Sequence, residues 1–384
     1  MTYFGDEKFA LIAAIFCLGG LVIRWRQWPI KYWLALGSLI IYAGVFGADF
    51  QHLAVSLGFL VFQYGLIQYQ FRHPKIKWPV YLSFLPLVLA KLHEIWPLYS
   101  FGFIGISYLS FKVVQILLET QDGLIKEMSL VDYLSFLLFF PVVSAGPIDR
   151  SKRFVADTEK ILDWKDYWDL LGMGSYRLLL GAVYKFVIAA VIFKWLSALQ
   201  VGNYFYYLIK YAYGYTFYLF FDFAGYSLMA VGLSNLLGIE TPMNFKQPFL
   251  AIDIKDFWNR WHISLSQWLR DFVFSRVMMN FIRHKRFKTR LNRAMAAYMA
   301  NMLFMGFWHG FSFHYILYGC YHGVLMAGFE AYQKKSKFYK KYKNHSLYKL
   351  VSWAVTLQLV VLGMFIFSNK FPEVVGKWLG FGQG

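Results

Sequence analysis

Apolar runs close to membrane thickness alternate with short polar breaks along the whole chain. A helix needs about 20 apolar residues to cross a bilayer. Runs near that length fall at 8–24, 32–48, 52–71, 79–97, 101–119, 175–198, 203–222, 294–311, 313–331 and 349–368, and 129–146 and 264–282 are apolar but ambiguous. The pattern predicts an all-α polytopic membrane protein with about ten or eleven transmembrane helices, plus re-entrant and interfacial helices. The run after MTYFGDEKF reads as a first spanning helix, because it lacks the basic start and small-residue cleavage pattern of a signal peptide. VDYLSFLLFFPVVSAGPI (131–148) holds two prolines and several small residues and is the segment expected not to span. SKRFVADTEKILDWKDY (151–167) reads as a short amphipathic piece at the interface. From 222 to 271 the chain is too polar to span and too apolar for a solvated loop. Gly225, Gly232, Gly238, Pro242 and Pro248 punctuate it, which predicts short helices and turns dipping into the interior. No repeat or soluble domain stands out, so residues 1–384 read as one membrane-embedded domain.

Composition agrees with lipid as the solvent. Hydrophobic residues make up 58% of the chain and charged residues 16%, against about a quarter charged in soluble domains. The net charge of +18 would suit nucleic acid, but the cations fall in short clusters between apolar runs, as in cytoplasmic loops. The expected partner surface is therefore the bilayer of the plasma membrane and not nucleic acid. The clusters Arg24/Arg26/Lys31, Arg72/Lys75/Lys77, 283–293 and 334–349 all face the cytoplasm if the N-terminus is outside. Arg150/Lys152/Arg153 fits only if a neighbouring apolar segment fails to span. Cys17 and Cys320 lie inside apolar segments, which argues against a disulfide framework or a cysteine metal site.

Ionisable groups at membrane depth are expensive and mark candidate sites. DFWNRWHISLSQWLRD (256–271) places His262 among Trp258, Asn259, Trp261 and Ser264. On a helix, Trp258 and Asn259 would share a face with His262. FMGFWHGFSFHYILYGCYHG (304–323) carries His309, His314 and His322, with Trp308, Gly306 and Gly310 around the first. Small residues there would let a substrate or another helix approach closely. The competing reading is an interfacial anchor or a satisfied core histidine, and it is favoured for His314 and His322, as residues that satisfy nearby hydrogen bonds. No metal is expected, because the histidine spacings do not share a helical face and neither HExxH nor CxxC occurs. No GxSxG marks a hydrolase. Lys91, His93, Glu94, Lys112 and Glu119 could line a transport path, or could be helix-end residues snorkelling to the interface. What remains is a base without a protein nucleophile. A neutral imidazole can take the proton of a hydroxyl that attacks an acyl thioester directly, with nearby donors for the oxyanion.

The pieces FFPVVSAGPIDR (139–150), FDFAGYSLMAVGLSNLLGIETPMNFKQPF (221–249), DFWNRWHISLSQWLRDFVF (256–274) and MGFWHGFSFHYILYGCYHG (305–323) run in one order over residues 130–325. Together they resemble the membrane-bound O-acyltransferase (MBOAT) family, and TPMNFKQPF with FWNRWH and RDFVF looks most like its branch for teichoic acid D-alanylation. The resemblance implies a helical ring around a thinned core. It divides the chain into N-terminal helices (1–128), the family core with the motif histidines (129–325), and a C-terminal loop with the last helix (326–384). It implies catalytic roles for His309 and His262, with Trp258, Asn259, Trp261, Ser264 and Trp308 binding substrate or shaping the site. It also implies an acyltransferase that takes D-alanine from a phosphopantetheine thioester on an acidic cytoplasmic carrier protein, with no cofactor bound to this chain. The acceptor would be an extracytoplasmic hydroxyl, reached with other membrane proteins of the pathway. A transporter or flippase of a lipid-linked or amino-acyl group, and a non-enzymatic scaffold, stay open as alternatives.

RVMMNFIRHKRFKTRLNR (276–293) mixes Met278, Met279 and Phe281 with Arg283, Lys285 and Arg286. It reads either as a plain positive-inside loop against anionic lipid or as a carrier docking surface, with apolar contacts inside a basic rim.

Overall fold

The computed structural model describes Phe4, residues 6–46, 49–92, 102–200, 204–371 and Val374, and its regular elements among these residues are all helical. They are α1 (Glu7–Trp25), α2 (Lys31–Phe46), α3 (Phe50–Arg72), α4 (Trp78–Ser83), α5 (Leu85–Leu92), α6 (Ile106–Gln121), α7 (Leu130–Leu137), α8 (Ser151–Glu159) and α9 (Trp164–Ala182). A π-helical stretch (Val183–Ala189) leads into α10 (Ala190–Ser197), followed by α11 (Tyr204–Leu236), a 3₁₀ turn (Pro248–Leu250), α12 (Ile254–Trp258) and α13 (Ile263–Leu269). A second π-helical stretch (Arg270–Phe274) joins α13 to α14 (Ser275–Arg283), and α15 (Arg290–His309), α16 (Phe313–Lys335), α17 (Lys337–Tyr342) and α18 (Ser346–Phe367) complete the order.

Among the described residues, five helices are long and apolar enough to cross a membrane: Glu7–Trp25, Phe50–Arg72, Trp164–Ser197, Tyr204–Leu236 and Ser346–Phe367. Several other expected spans are shorter, broken or more polar helices. The run at 79–97 is split into α4 and α5, and residues 93–101 lie outside the described residues, His93 and Glu94 among them. The run at 294–311 falls in α15, which opens on Arg290 and Arg293, and the run at 313–331 falls in α16, which carries two histidines, Glu330, Lys334 and Lys335. The segment at 131–148 is short, as expected: α7 stops at Leu137 and turns follow through Pro141. Of the amphipathic piece at 151–167, residues 151–159 form α8 and residues 164–167 open α9.

The chain divides into two compact units. The first comprises Met1–Val183 and Ala224–Met243. Several of its cations are tied into the structure by hydrogen bonds and ion pairs. Arg24 is 3% exposed and donates to the carbonyls of Lys160, Asp157, Leu237 and Gly238. Lys31 pairs with Asp132 at 2.8 Å and Glu159 at 3.2 Å. Lys112 does not snorkel. It is buried in the middle of α6 and donates to the carbonyls of Phe136 and Leu137 at 2.8 and 3.2 Å, which α7 leaves unused at its C-terminus. Glu119 is also buried and accepts from the Ser151 hydroxyl at 2.8 Å. Arg153 bridges Asp149 and Asp157 along α8.

The glycines of 222–236 do not break the chain, contrary to the expectation of short helices there. A Cβ on Gly232 would stand 2.8 Å from the Gly174 carbonyl, and one on Gly225's facing partner Gly181 would stand 2.7 Å from the Gly225 carbonyl. These glycines let α9 and α11 touch backbone to backbone. The predicted irregular stretch begins only after Leu236.

The second unit comprises Tyr184–Phe223 and Asn244–Gly384. Its centre is the antiparallel pair α15 and α16, with Gly306 set against Gly319. Along its other side, Ser352 and Thr356 of α18 donate to the Ile252 carbonyl, and the Trp353 indole donates to the Phe249 carbonyl. This anchors the segment that leads into α12.

Candidate active site

The second unit gathers the imidazoles. Asp253 caps α12 by accepting from the N–H groups of Lys255 and Asp256. That helix ends at Trp258, and a tight turn brings His262 to the N-cap of α13. His262 is 4% exposed and holds a left-handed backbone, φ +45° and ψ +54°. Few residues other than glycine sit there, histidine more often than most, and such backbone positions cluster at functional sites. Asn244, fully buried, holds the turn in place. Its backbone carbonyl accepts from Ile263 N–H at 2.9 Å, and its Oδ1 accepts from the Ser264 hydroxyl at 2.6 Å and the Ser264 N–H at 3.3 Å. Lys246 N–H donates to the Arg260 carbonyl at 3.0 Å, so two adjacent strands of loop are tied across the turn.

His309 is the last residue of α15 and is half-buried. The packing of α15 on α16 fixes where it ends. A Cβ on Gly306 would meet the Tyr315 carbonyl at 2.5 Å, and one on Gly319 would meet the Met302 carbonyl at 2.7 Å. The close neighbour that Gly306 admits is therefore helix α16. Around the His309 ring stand Phe367 at 5.0 Å edge-on, Tyr315 at 5.8 Å stacked, and Tyr318 at 6.2 Å edge-on. Trp308 lies against both imidazoles, its ring 4.7 Å from His309 and 6.5 Å from His262. Phe223 closes on the His262 ring edge-on at 4.8 Å.

The structure sorts the remaining candidates. Ser264 is bound into the Asn244 clamp and supports His262 from behind. Trp261 stacks on Phe257 at 5.6 Å and packs on Phe245 at 5.1 Å, which makes it part of an aromatic core. Trp258 turns toward His322, ring to ring at 5.0 Å. With Asn259, Ser266, Gln267, Tyr298 and Asn301 it lines a cavity of about 200 Å³. Neither Trp258 Nε1 nor Asn301 Oδ1 has a hydrogen-bond partner among the described residues. His314 stands 4.0 Å from the Tyr315 ring. His322 does not satisfy nearby hydrogen bonds: it is fully buried, and neither ring nitrogen has a partner among the described residues. It sits instead in a cage of Trp258, Tyr318 and Tyr321.

Met278, Met279, Phe281, Arg283, Lys285 and Arg286 belong to α14 and the loop after it, not to the imidazole cluster. Met279 is 59% exposed, the three cations are exposed, and Phe281 packs on Phe287 at 5.2 Å. One continuous helical rod, 263–283, links them to His262 over about 30 Å. Among the described residues no three His, Cys, Asp or Glu side chains gather as metal ligands would.

Asn244, Asn301 and Phe223 were not singled out from the sequence. Asn244 lies in TPMNFKQPF, but nothing in its spacing to Ser264 announces the clamp. The only signal was an asparagine between two prolines just ahead of the histidine segment.

A multi-pass, all-helical membrane protein with two imidazoles in an aromatic wall at helix ends is the class that these features define. The chain belongs to the membrane-bound O-acyltransferase family, which it matches over residues 59–359. It is an O-acyltransferase of the plasma membrane. It is 37% identical over 397 residues to the teichoic acid D-alanyltransferase of Bacillus subtilis (strain 168), covering 96% of this chain and 98% of that one. The protein of the same name from Streptococcus thermophilus is 39% identical over 325 residues, 78% of this chain and 77% of its own. The probable alginate O-acetylase AlgI of Pseudomonas putida is 34% identical over 284 residues, 72% of this chain and 54% of its own.

Proposed function

We propose that this enzyme moves D-alanine from a phosphopantetheine thioester on an acidic carrier protein to an extracytoplasmic hydroxyl, for teichoic acid D-alanylation. His309 is the general base. The observation that supports this most is the pairing of a half-buried imidazole at the end of α15 with the buried, strained His262, both against Trp308. In the reaction, the acceptor hydroxyl gives its proton to His309 and its oxygen attacks the thioester carbonyl. The oxyanion is met by a ring N–H of His262. The C–S bond then breaks, the ester is left on the acceptor, and the thiolate takes a proton from the imidazolium.

The donor arm carries amides, each with one N–H and one C=O. The cavity lined by Trp258 and Asn301 offers one indole donor and one carbonyl acceptor of matching kind. The carrier docks on α14, where Met278, Met279 and Phe281 make contact and Arg283, Lys285 and Arg286 steer it. This chain holds no cofactor or metal of its own, and other membrane proteins of the pathway receive or relay the product.

D-alanine transfer from charged carrier into membranes, compared between the native chain, His309→Ala and His309→Gln at matched expression, tests this reading. Transfer is expected to fall by at least about a hundredfold in both, the range of general-base catalysis, with carrier binding retained. Near-native transfer in either variant would remove His309 from the mechanism.

A further inference from the structure

The second unit holds a groove of about 850 Å³ that neither His262 nor His309 lines. Its walls are α16, from Val324 to Tyr332, and α18, from Leu347 to Leu359, with Phe338 and Tyr342 of α17 at one end. The α18 wall alone runs about 18 Å at 1.5 Å per residue. Most of the lining is aliphatic or aromatic, with His345, Ser352 and Thr356 as polar exceptions on the α18 side, and Leu347, Val351 and Val355 are more than half exposed. Asp253 is the acidic group at its edge, already engaged as the cap of α12.

The α17 end of this groove is charged. Seven lysines lie between 334 and 349, all exposed, and no acidic residue occurs from 331 to 371. An apolar trough along a membrane-crossing helix, opening on a cluster of cations, is complementary to an amphiphile with an anionic head. Water-facing use of the trough would leave a large apolar surface wet, and an acidic protein would match the lysines but not the apolar walls.

We propose that the groove between α16 and α18 binds an anionic phospholipid, its acyl chain along the helices and its phosphate among the lysines of α17 and its flanks. The site is independent of the acyl-transfer reading. Because α18 also anchors Ile252 ahead of α12, the lipid braces the segment that leads to Trp258 and His262.

Gly328 supplies a clean variant. It lines the groove, and a Cβ there would meet no atom within 4 Å. Gly328→Phe therefore fills the trough without forcing the fold, and it replaces a poor helix former. The full chain, delipidated in detergent, is titrated with dioleoylphosphatidylglycerol or dioleoylphosphatidylcholine, and bound lipids are counted by native mass spectrometry. Thermal unfolding checks the fold of each variant. The native chain is expected to hold phosphatidylglycerol about tenfold more tightly than phosphatidylcholine, Gly328→Phe to lose both, and Lys340→Gln/Lys341→Gln to lose the preference. Equal retention of the two lipids by the native chain, or undiminished binding in Gly328→Phe, overturns the proposal. So does a double lysine variant that keeps its lipid preference but no longer binds the carrier protein, which would make the lysines a protein surface.

Discussion

His262 occupies a backbone conformation that an alanine would adopt only under strain, so its substitutions separate backbone effects from imidazole effects. His262→Gly relieves the left-handed strain, whereas His262→Ala keeps it and loses the ring contacts. Thermal unfolding is expected to place the alanine variant below the glycine variant, by about 1 kcal/mol. Both should lose D-alanine transfer. Activity in the glycine variant would show that the turn and not the ring matters. Asn244 belongs to the same argument. Asn244→Ala leaves Ser264 without its side-chain acceptor in a buried place, which costs about 1–3 kcal/mol. Transfer should fall while carrier binding stays. Unchanged stability and transfer in Asn244→Ala would rule out the clamp. The sequence showed a polar histidine segment and named Ser264, yet not Asn244, because a contact twenty residues away through a loop has no periodic signature.

At the scale of elements, the glycines carry the contrast between pattern and packing. Read along the chain, Gly225 and Gly232 looked like punctuation, because glycine both breaks helices and lets them touch. The facing glycine on another helix decides between the two, and local sequence does not report it. Gly306 was legible as a close-approach site for a substrate or another helix, and the neighbour that approaches it is α16. Gly306→Val would drive its branched side chain into the Tyr315 carbonyl and the Gly319 backbone. The α15 and α16 backbones would have to separate, moving His309 at the end of α15. The variant is expected to unfold several degrees lower in detergent and to lose transfer. Native unfolding and transfer in Gly306→Val would mean that the helices tolerate separation and that His309 is not positioned by this contact.

Across the whole molecule, the apolar runs made the helical membrane class legible, and among the described residues five of them are helices long and apolar enough to cross a membrane by themselves. Hydropathy treats each run alone, whereas α15 and α16 mix charged ends with small faces and gain their burial from each other. Charge has a second use that the pattern alone does not report. Arg24, Lys31, Lys112 and Arg153 serve carbonyls and carboxylates within the first unit, a structural use that their place in the sequence does not report. The cations after α14 are different, being exposed beside exposed apolar groups. An acidic carrier should therefore feel a field from a chain of net charge +18 before it makes contact. Surface plasmon resonance with immobilised enzyme should show association slowing steeply as salt rises from low to physiological strength, because the Debye length shrinks to about 8 Å. Met278→Glu/Phe281→Glu should abolish carrier binding with the unfolding temperature unchanged. Lys285→Gln/Arg286→Gln should slow association and leave dissociation almost as it was. If the charge variant changed dissociation alone, or the Met278 and Phe281 variant bound normally, the carrier would have to dock elsewhere, and α14 would be an anionic-membrane contact.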